Sequence, residues 1–259
     1  MALNPKISDW RGKRVWLLGA SSGIGAALAQ ALAERGARVA LSSRHADSVE
    51  RMLTTLPGAD HLAVACDATS PAQLEAACAR LFAHWTCVDV AIYLAGDYVP
   101  LRADDFTPEA VRKLCEVNYL GAANFTHAVL PLLARDDGGG LVLVASVAGY
   151  RGLPKALGYG PPKAALIHFA ETLFLDLRRR GIGVWVVNPG FVATRLTAQN
   201  DFRMPGLITP EAAAAAFLQG MASGRFDIHF PKRFTRFMKL LRLLPYRLYF
   251  RLAGRTAGD

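Results

Sequence analysis

The stretch RVWLLGASSGIG, residues 14–25, combines an apolar run with a glycine-rich turn and leads into a helical sequence. Its first five residues predict a short buried strand. Strand, glycine turn and helix in this order are typical of a dinucleotide site, because N–H groups and the positive helix end face the phosphates. Gly19 permits the tight turn, Gly23 lets backbone approach a pyrophosphate, and Gly25 lets the helix pack on the sheet. A flexible loop is the alternative, since glycines also cluster in turns.

A second pattern carries acid–base chemistry. Tyr159 and Lys163 are four positions apart, and Ser146 precedes the tyrosine by thirteen residues. Residues i and i+4 share one face of a helix. A phenol has a pKa near 10, and a neighbouring ammonium lowers this pKa, so the ring can exchange a proton near neutral pH. The serine hydroxyl can hydrogen-bond the reacting oxygen, whereas the Tyr–Lys spacing alone also occurs by chance on solvated helices.

The end of the second predicted strand, residues 38–42, bears on the choice of cofactor. An acidic residue at this point would hydrogen-bond the adenosine ribose of NAD, but the sequence has Ser43 and Arg44 instead. Because a guanidinium suits a 2′-phosphate, the sequence favours NADP(H) over NAD(H). A solvated surface arginine is the alternative interpretation of Arg44.

In combination, these motifs resemble the short-chain dehydrogenase/reductase family over about residues 13–194. The resemblance implies a catalytic tetrad of Asn118, Ser146, Tyr159 and Lys163, in which Lys163 also holds the nicotinamide ribose and Asn118 supports a water relay. Asp67 matches the residue that contacts adenine, and the segment from Pro189 to Thr194 matches the nicotinamide carboxamide site. The expected cofactor-binding set is Gly19, Ser21, Ser22, Gly23, Ile24, Gly25, Ser43, Arg44, Asp67, Ala95, Gly96, Asn118, Tyr159, Lys163, Pro189, Gly190, Val192 and Thr194.

Two departures from the family pattern concern this site. Leu94 stands where the family usually has asparagine, and Pro161 and Pro162 lie between the tyrosine and the lysine. Because proline is tolerated only in the first helical turn, we expect this helix to begin near residues 158–159.

The fold class follows from the alternation of apolar strands and helical stretches. It predicts an α/β protein with a Rossmann-type doubly wound parallel sheet, in one domain over residues 1–230, followed by a helical extension over residues 231–259. The 259 residues, 52% of them hydrophobic, suffice for one large domain. Further predicted elements are strands at residues 62–66, 88–94, 141–145 and 184–187, a helix at 108–133, and helix starts at Ser70-Pro71, Thr107-Pro108 and Thr209-Pro210. The four cysteines lack metal-type spacing, so we expect reduced thiols in the core and no metal.

The charge is concentrated in the C-terminal segment. Residues 225–259 contain nine basic and two acidic residues, and thus carry +7 of the net +9. Basic and large apolar residues alternate at helical spacing, with Pro245 dividing the segment. This pattern suits binding to an anionic membrane surface. Binding to nucleic acid is less favoured, because the segment has more aliphatic side chains than phosphate binding requires. A helix that packs on the core or closes a dimer is the alternative.

Taken together, the sequence predicts an NADP(H)-dependent oxidoreductase that interconverts a carbonyl and an alcohol on a small hydrophobic substrate. A lid over residues 195–208 would form the apolar wall. An NAD-dependent alcohol dehydrogenase of the same fold and a non-catalytic, membrane-associated nucleotide-binding scaffold are the alternatives. The N-terminus is too polar for a signal peptide, so we expect a cytoplasmic location, with peripheral membrane contact left open, and a homo-oligomer.

Overall fold

A parallel sheet of seven strands forms the centre of the described protein, a computed structural model that describes residues 2–134 and 138–254. The strand order is β3-β2-β1-β4-β5-β6-β7, and every pair of neighbours is parallel. The strands are β1 Arg14–Leu18, β2 Arg38–Ser42, β3 Leu62–Ala63, β4 Val90–Tyr93, β5 Gly140–Val144, β6 Gly183–Pro189 and β7 Asp227–Phe230. The predicted doubly wound α/β fold is therefore confirmed, while residues 255–259 of the predicted extension lie outside the described part.

The central strands are apolar on both faces because helices cover both sides of the sheet. Alternate residues of β1 point to opposite cores: Trp16 and Leu18 join one, and Val15 and Leu17 join the other. The helices are α1 Gly23–Ala33, α2 Ala46–Leu53, α3 Pro71–Trp85, α4 Pro108–Cys115, α5 Gly121–Val129, α6 Gly160–Leu177, α7 Pro210–Ala222, α8 Lys232–Leu243 and α9 Tyr246–Ala253. The first core includes residues from α3, α5 and α6, and the second includes residues from α1, α2 and α7.

The three predicted helix starts are confirmed. Ser70, Thr107 and Thr209 each precede a proline, and each side-chain oxygen accepts a hydrogen bond from the backbone N–H three residues later. Such a cap stabilises a helix by about 1 kcal/mol relative to alanine. Proline at the first helical position needs no N–H partner, so the sequence defines these starts locally.

The prediction of one continuous helix over residues 108–133 is wrong. It is divided into α4, a π-helical turn over Glu116–Leu120, α5 and a 3₁₀ turn over Leu130–Leu132. The Tyr93 hydroxyl, from the neighbouring strand, donates to the carbonyl of Val117 at 2.5 Å inside the π turn. This long-range contact helps to explain why a local helical pattern did not predict the interruption.

The cysteine prediction holds in part. All four cysteines are free; Cys66 and Cys78 are buried, while Cys87 and Cys115 are only half-buried. Burial raises the pKa of the Cys66 thiol to about 11 and that of Cys78 to about 12, so neither forms a thiolate near neutral pH.

One face of the C-terminal segment packs on the rest of the protein. Thr235 and Met238 of α8 and Tyr249 of α9 are buried. Arg151, in the loop after β5, lies over the rings of Tyr246 and Tyr249, with its Cζ 4.7 and 4.1 Å from their centroids. The predicted alternative of packing on the core is therefore correct for this face.

The same arginine closes the end of α8. Its Nη1 donates to the carbonyls of Leu241, Arg242 and Leu244 at 3.0, 3.1 and 2.6 Å. These carbonyls lie in the last turn of α8 and just after it, where no intrahelical N–H group remains to donate to them. None of the helices in the described ranges combines the length and the apolar character needed to cross a bilayer.

Candidate active site

A cavity of about 460 Å³ opens at the carboxyl ends of the central strands. The strand order reverses between β1 and β4, and ligands of open α/β sheets bind at such a point. All the predicted cofactor residues except Asn118 line the cavity, together with Ser146. Asn118 is fully buried behind the wall, next to Gly96.

The turn after β1 leaves no room for a side chain at Gly19 or Gly25. Gly19 has a φ of +100°, and a Cβ there would lie 2.5 Å from the backbone nitrogen of Ala95. A Cβ at Gly25 would lie 2.3 Å from the carbonyl oxygen of Gly19. The two glycines therefore let the turn pack tightly on the end of β4 and on itself, and the turn lines the cavity where a pyrophosphate would approach.

The start of α1 lacks a side-chain cap of the kind found at α3, α4 and α7. Ser22 is the N-cap residue, yet its side chain makes no capping hydrogen bond, and the first turn contains no acidic residue. The first N–H groups of a helix have no intrahelical acceptor. At a helix start that lines a cavity, this arrangement fits an anionic group such as the phosphates of a dinucleotide.

The residues predicted for the adenosine end lie at the ends of β2 and β3. Ser43 is buried, and its hydroxyl donates to the carbonyl of His45 at 2.9 Å. Arg44 is exposed and forms no ion pair with a carboxylate in residues 2–134 or 138–254. Asp67 accepts two hydrogen bonds through Oδ1, from the backbone N–H and the hydroxyl of Thr69, each at 2.8 Å.

Tyr159 and Lys163 lie at the start of α6, as the two prolines between them predicted. Tyr159 is the N-cap residue, and proline occupies the first helical turn. The Lys163 Nζ is 5.6 Å from the centroid of the Tyr159 ring and donates to the carbonyl of Val144 at 3.0 Å. Ser146 accepts a hydrogen bond from the N–H of Ala148 at 3.1 Å, which orients its hydroxyl group.

Burial determines the proton affinities of this pair. It raises the pKa of Tyr159 to about 12, and a hydrogen bond with the Ser146 hydroxyl acts in the opposite direction. Burial also lowers the pKa of the Lys163 ammonium to about 7. In the free chain the tyrosine pKa is thus raised rather than lowered as the sequence predicted, because desolvation of the phenolate is the largest effect and the Ser146 hydrogen bond offsets only part of it.

Asn118 lies in the π turn between α4 and α5. Its Nδ2 donates to the carbonyls of Asp97 and Leu114 at 2.8 and 2.9 Å, while its buried Oδ1 has no hydrogen-bond partner among the described residues. A Cβ at Gly96 would lie 3.0 Å from this Oδ1 and 3.6 Å from the Lys163 Nζ. The unpartnered amide oxygen and the lysine thus both lie beside the same glycine.

Sequence reasoning missed Tyr98 and the contacts that hold the lid. The Tyr98 ring packs edge-on against Tyr159, with centroids 5.1 Å apart, and its hydroxyl donates to Asn200 Oδ1 at 3.0 Å. Lys155 donates to Asp201 Oδ2 at 2.6 Å. Tyr98 comes two residues after Gly96, so its place near the carboxyl end of β4 was the available signal.

The predicted lid, residues 195–208, contributes both polar and apolar groups. Leu196 lines the cavity beside Arg195, Thr197 and Gln199. Phe202 and Leu207 are exposed, with 41% and 45% of their surface accessible. Phe202 also packs edge-on against Phe191, whose ring centroid is 5.8 Å away.

Comparisons with known proteins agree with this geometry. A family model described as short chain dehydrogenase matches residues 13–203. The chain is 35% identical over 239 residues to an uncharacterized oxidoreductase of Myxococcus xanthus, covering 89% of this chain and 92% of that protein. It is 30% identical over 204 residues to the 3-oxoacyl-acyl-carrier-protein reductase FabG of Escherichia coli, covering 77% and 82% of the two chains.

A solved structure shares the fold. The crystal structure of a short-chain type dehydrogenase/reductase from Mycobacterium marinum superposes with a TM-score of 0.75 at 26% identity, covering 85% of this chain and 94% of that one. The chain therefore belongs to the short-chain dehydrogenase/reductase family, NAD(P)-dependent oxidoreductases that act on CH–OH and C=O groups.

Proposed function

We propose that the protein is an NADP(H)-dependent oxidoreductase that interconverts a carbonyl and an alcohol on a small hydrophobic substrate. The observation that carries the proposal is the meeting of Ser146, Tyr159 and Lys163 in the same cavity as the glycine-rich turn and the uncapped start of α1. One end of such a cavity suits the phosphates of a dinucleotide, and the other end supplies proton transfer.

A bound nicotinamide supplies or accepts the hydride. In the reducing direction the Tyr159 hydroxyl donates a proton to the substrate oxygen, which the Ser146 hydroxyl holds by a hydrogen bond. In the oxidising direction the tyrosinate removes that proton. Lys163 lies close enough to favour the tyrosinate when it carries its own proton, and its position suits a contact with the nicotinamide ribose. Asn118, with its unpartnered oxygen beside Gly96, is assigned to the relay that returns protons through Lys163.

NADP(H) is proposed over NAD(H) because Arg44 is the charged group at the rim beyond β2. Arg44 lines the cavity, is exposed, and has no carboxylate partner in the described ranges. An unpaired guanidinium is free to take a 2′-phosphate, and no carboxylate immediately follows β2 to favour a 2′-hydroxyl.

Arg44→Ala is therefore expected to weaken NADPH binding by about 1.5–3 kcal/mol, roughly 10- to 150-fold, and to leave NADH binding nearly unchanged. Fluorescence titration of both cofactors measures the two dissociation constants. Arg51→Ala, which removes an exposed arginine from α2, is the matched control and should change neither. Equal weakening of both cofactors, or tighter NADH binding by the wild type, would contradict the proposal and favour the NAD-dependent alternative.

The apolar residues of the lid support a hydrophobic substrate. Leu196 lines the cavity, and Phe202 and Leu207 are exposed elsewhere on the lid. The similar reductase of Escherichia coli is named for a 3-oxoacyl substrate, which also joins a ketone to an acyl group. A ketone or secondary alcohol with an apolar chain is accordingly the first class to test, and an aldehyde with its primary alcohol is the second.

Turnover of a panel of carbonyls and alcohols with graded chain length tests this proposal. Each is assayed with NADPH and NADH by following the absorbance of the reduced nicotinamide, and the predicted trend is a rise of kcat/KM with chain length. Absence of turnover with any member, alongside tight cofactor binding, would instead favour the nucleotide-binding scaffold.

The proposed setting is the cytoplasm, where the four free cysteines stay reduced, with residues 231–259 as an extension that reaches a membrane surface. A homo-oligomer is also proposed, which sedimentation equilibrium would test.

A further inference from the structure

Helices α8 and α9 leave an exposed outer face. We call this face the C-terminal platform and define it by the exposed apolar residues Phe237, Leu240, Leu243, Tyr246, Leu248, Phe250 and Leu252, together with Arg233, Arg236, Arg247 and Arg251. Leu243 is 79% and Leu240 is 64% accessible. These seven are nearly half of the fifteen large exposed apolar side chains found in the described residues. Such a cluster marks an interaction surface.

The charge of the same helices selects the kind of partner. Residues 232–253 contain seven basic residues and no acidic one. Within the described residues, only Lys239 of these seven forms an ion pair, with Asp227. A second copy of this platform would bring equal positive charge against it, so self-association opposes the charge pattern. Apolar side chains interleaved with arginines instead fit the boundary between acyl chains and anionic headgroups.

The inner face of α8 contacts the site loops. Phe234 packs against Phe191 with ring centroids 5.4 Å apart, and a Cβ at Gly190 would lie 2.8 Å from its Cδ1. A Cβ at Gly206, in the lid, would lie 3.4 Å from the Cβ of Phe234. Helix α8 therefore has the platform on its outer side, and on its inner side it contacts both the lid and the segment from Pro189 to Thr194 that was predicted to bind nicotinamide.

We propose that the C-terminal platform docks on an anionic lipid surface and that the substrate enters the site from that surface. The entry of substrate from that surface rests on the proposed function, whereas docking itself does not. Docking places the lid one helix width from the acyl region, where an apolar ketone or alcohol concentrates by partition. The substrate class is thus a lipid-partitioned carbonyl or alcohol.

Flotation of the full-length protein with vesicles tests docking without any assay of turnover. We expect binding to vesicles of phosphatidylcholine with phosphatidylglycerol, weaker binding as salt rises, and little binding to phosphatidylcholine alone. The triple variant Arg233→Gln, Arg236→Gln, Arg247→Gln should bind about 100-fold more weakly, since each basic residue near an anionic leaflet contributes about 1 kcal/mol, roughly fivefold in affinity. The matched control removes the same charge elsewhere, as Arg178→Gln, Arg179→Gln, Arg180→Gln, and should bind like the wild type.

A variant of the apolar side chains separates lipid from self-association. Phe237→Ser with Leu240→Ser should also lose vesicle binding, while its mass in size-exclusion chromatography stays unchanged; Leu240→Ser alone serves if the double variant fails to fold. Leu175→Ser, at an equally exposed leucine of α6, is the control. Two outcomes would overturn docking. One is that the wild type does not bind vesicles and the double variant loses an oligomer that the wild type forms. The other is that the two arginine triple variants lose vesicle binding equally.

Activity tests the entry route separately. The arginine triple variant should lose about tenfold or more in kcat/KM for a long-chain ketone carried in anionic vesicles, and nothing for a short water-soluble ketone. Equal kcat/KM of wild type and variant in vesicles would overturn the entry route. Docking without any turnover would leave docking intact and refute the proposed function.

Discussion

Replacing Tyr159 by phenylalanine is expected to lower kcat by roughly 100- to 10,000-fold. The change removes the hydroxyl that exchanges a proton with the substrate oxygen but keeps the ring against Tyr98. Cofactor affinity should change little, because the phosphate and adenosine contacts lie elsewhere in the cavity. Steady-state kinetics and NADPH titration on the same preparation measure the two effects.

Tyr98→Phe is the matched control for this prediction. It removes a hydroxyl from the neighbouring ring, which among residues 2–134 and 138–254 bonds only to Asn200. Loss of such a bond is worth about 0.5–1.5 kcal/mol, so kcat/KM should fall by about tenfold at most. Near wild-type turnover in Tyr159→Phe, or an equal loss in both variants, would contradict the assignment of Tyr159 as the proton donor.

Lys163→Met is expected to abolish most activity and yet to stabilise the free protein. Lys163 is 3% exposed, and its one hydrogen bond in the described residues is to the carbonyl of Val144. Its pKa is lowered to about 7 by burial, against 10.5 as the ordinary value. Near pH 7 methionine should raise the free energy of unfolding by about 1–4 kcal/mol, since it fills the site without a desolvated amine.

The stabilisation by Lys163→Met is expected to depend on pH, and the pKa of Lys163 determines the direction of that dependence. Between pH 7 and 10.5 the unfolded chain binds a proton at Lys163 that the folded chain does not, so the lysine's contribution to stability rises with pH. Below pH 7 both states bind the proton, so the buried ammonium destabilises the folded state by its full amount. Chemical denaturation across this range should show the gain from Lys163→Met shrinking towards pH 10.5, whereas exposed Lys113→Met should show no such trend. A destabilised Lys163→Met at pH 7 would refute the argument.

The sequence predicted the strands well where burial alone defines them. β1 and β2 have the predicted bounds, because both are short apolar runs between polar turns. The third strand was predicted to residue 66 but ends at Ala63. The backbone still follows β2 beyond that point, since the N–H of Val64 bonds Leu41 and that of Cys66 bonds Ser43. The fourth strand likewise spans Val90–Tyr93 rather than residues 88–94.

The edge strand β7 was not predicted. It has four residues, and only Ile228 and Phe230 of these are fully buried. So short a pattern of alternating burial is difficult to separate from a loop by periodicity alone. Its place beside β6 depends on pairing between distant residues, such as Val187 with Ile228.

The candidate site could be located from the sequence because its residues follow the strands in order. Parallel strands bring their carboxyl ends to one edge, which explains why residues from Gly19 to Thr194 line one cavity. The tyrosine pKa and the π turn at Asn118 could not be obtained this way. Both depend on burial and on contacts across the fold, such as the bond from Tyr93 to Val117.

The bonds from Arg151 to the end of α8 have a consequence for the order of synthesis. Arg151 lies in the same loop as Ser146, and its acceptors are the carbonyls of Leu241, Arg242 and Leu244. During synthesis these acceptors are made 90 to 93 residues after Arg151, and after all seven strands of the sheet. The sheet can therefore form first, and the loop that carries the serine gains its contacts with α8 only once that helix has been made.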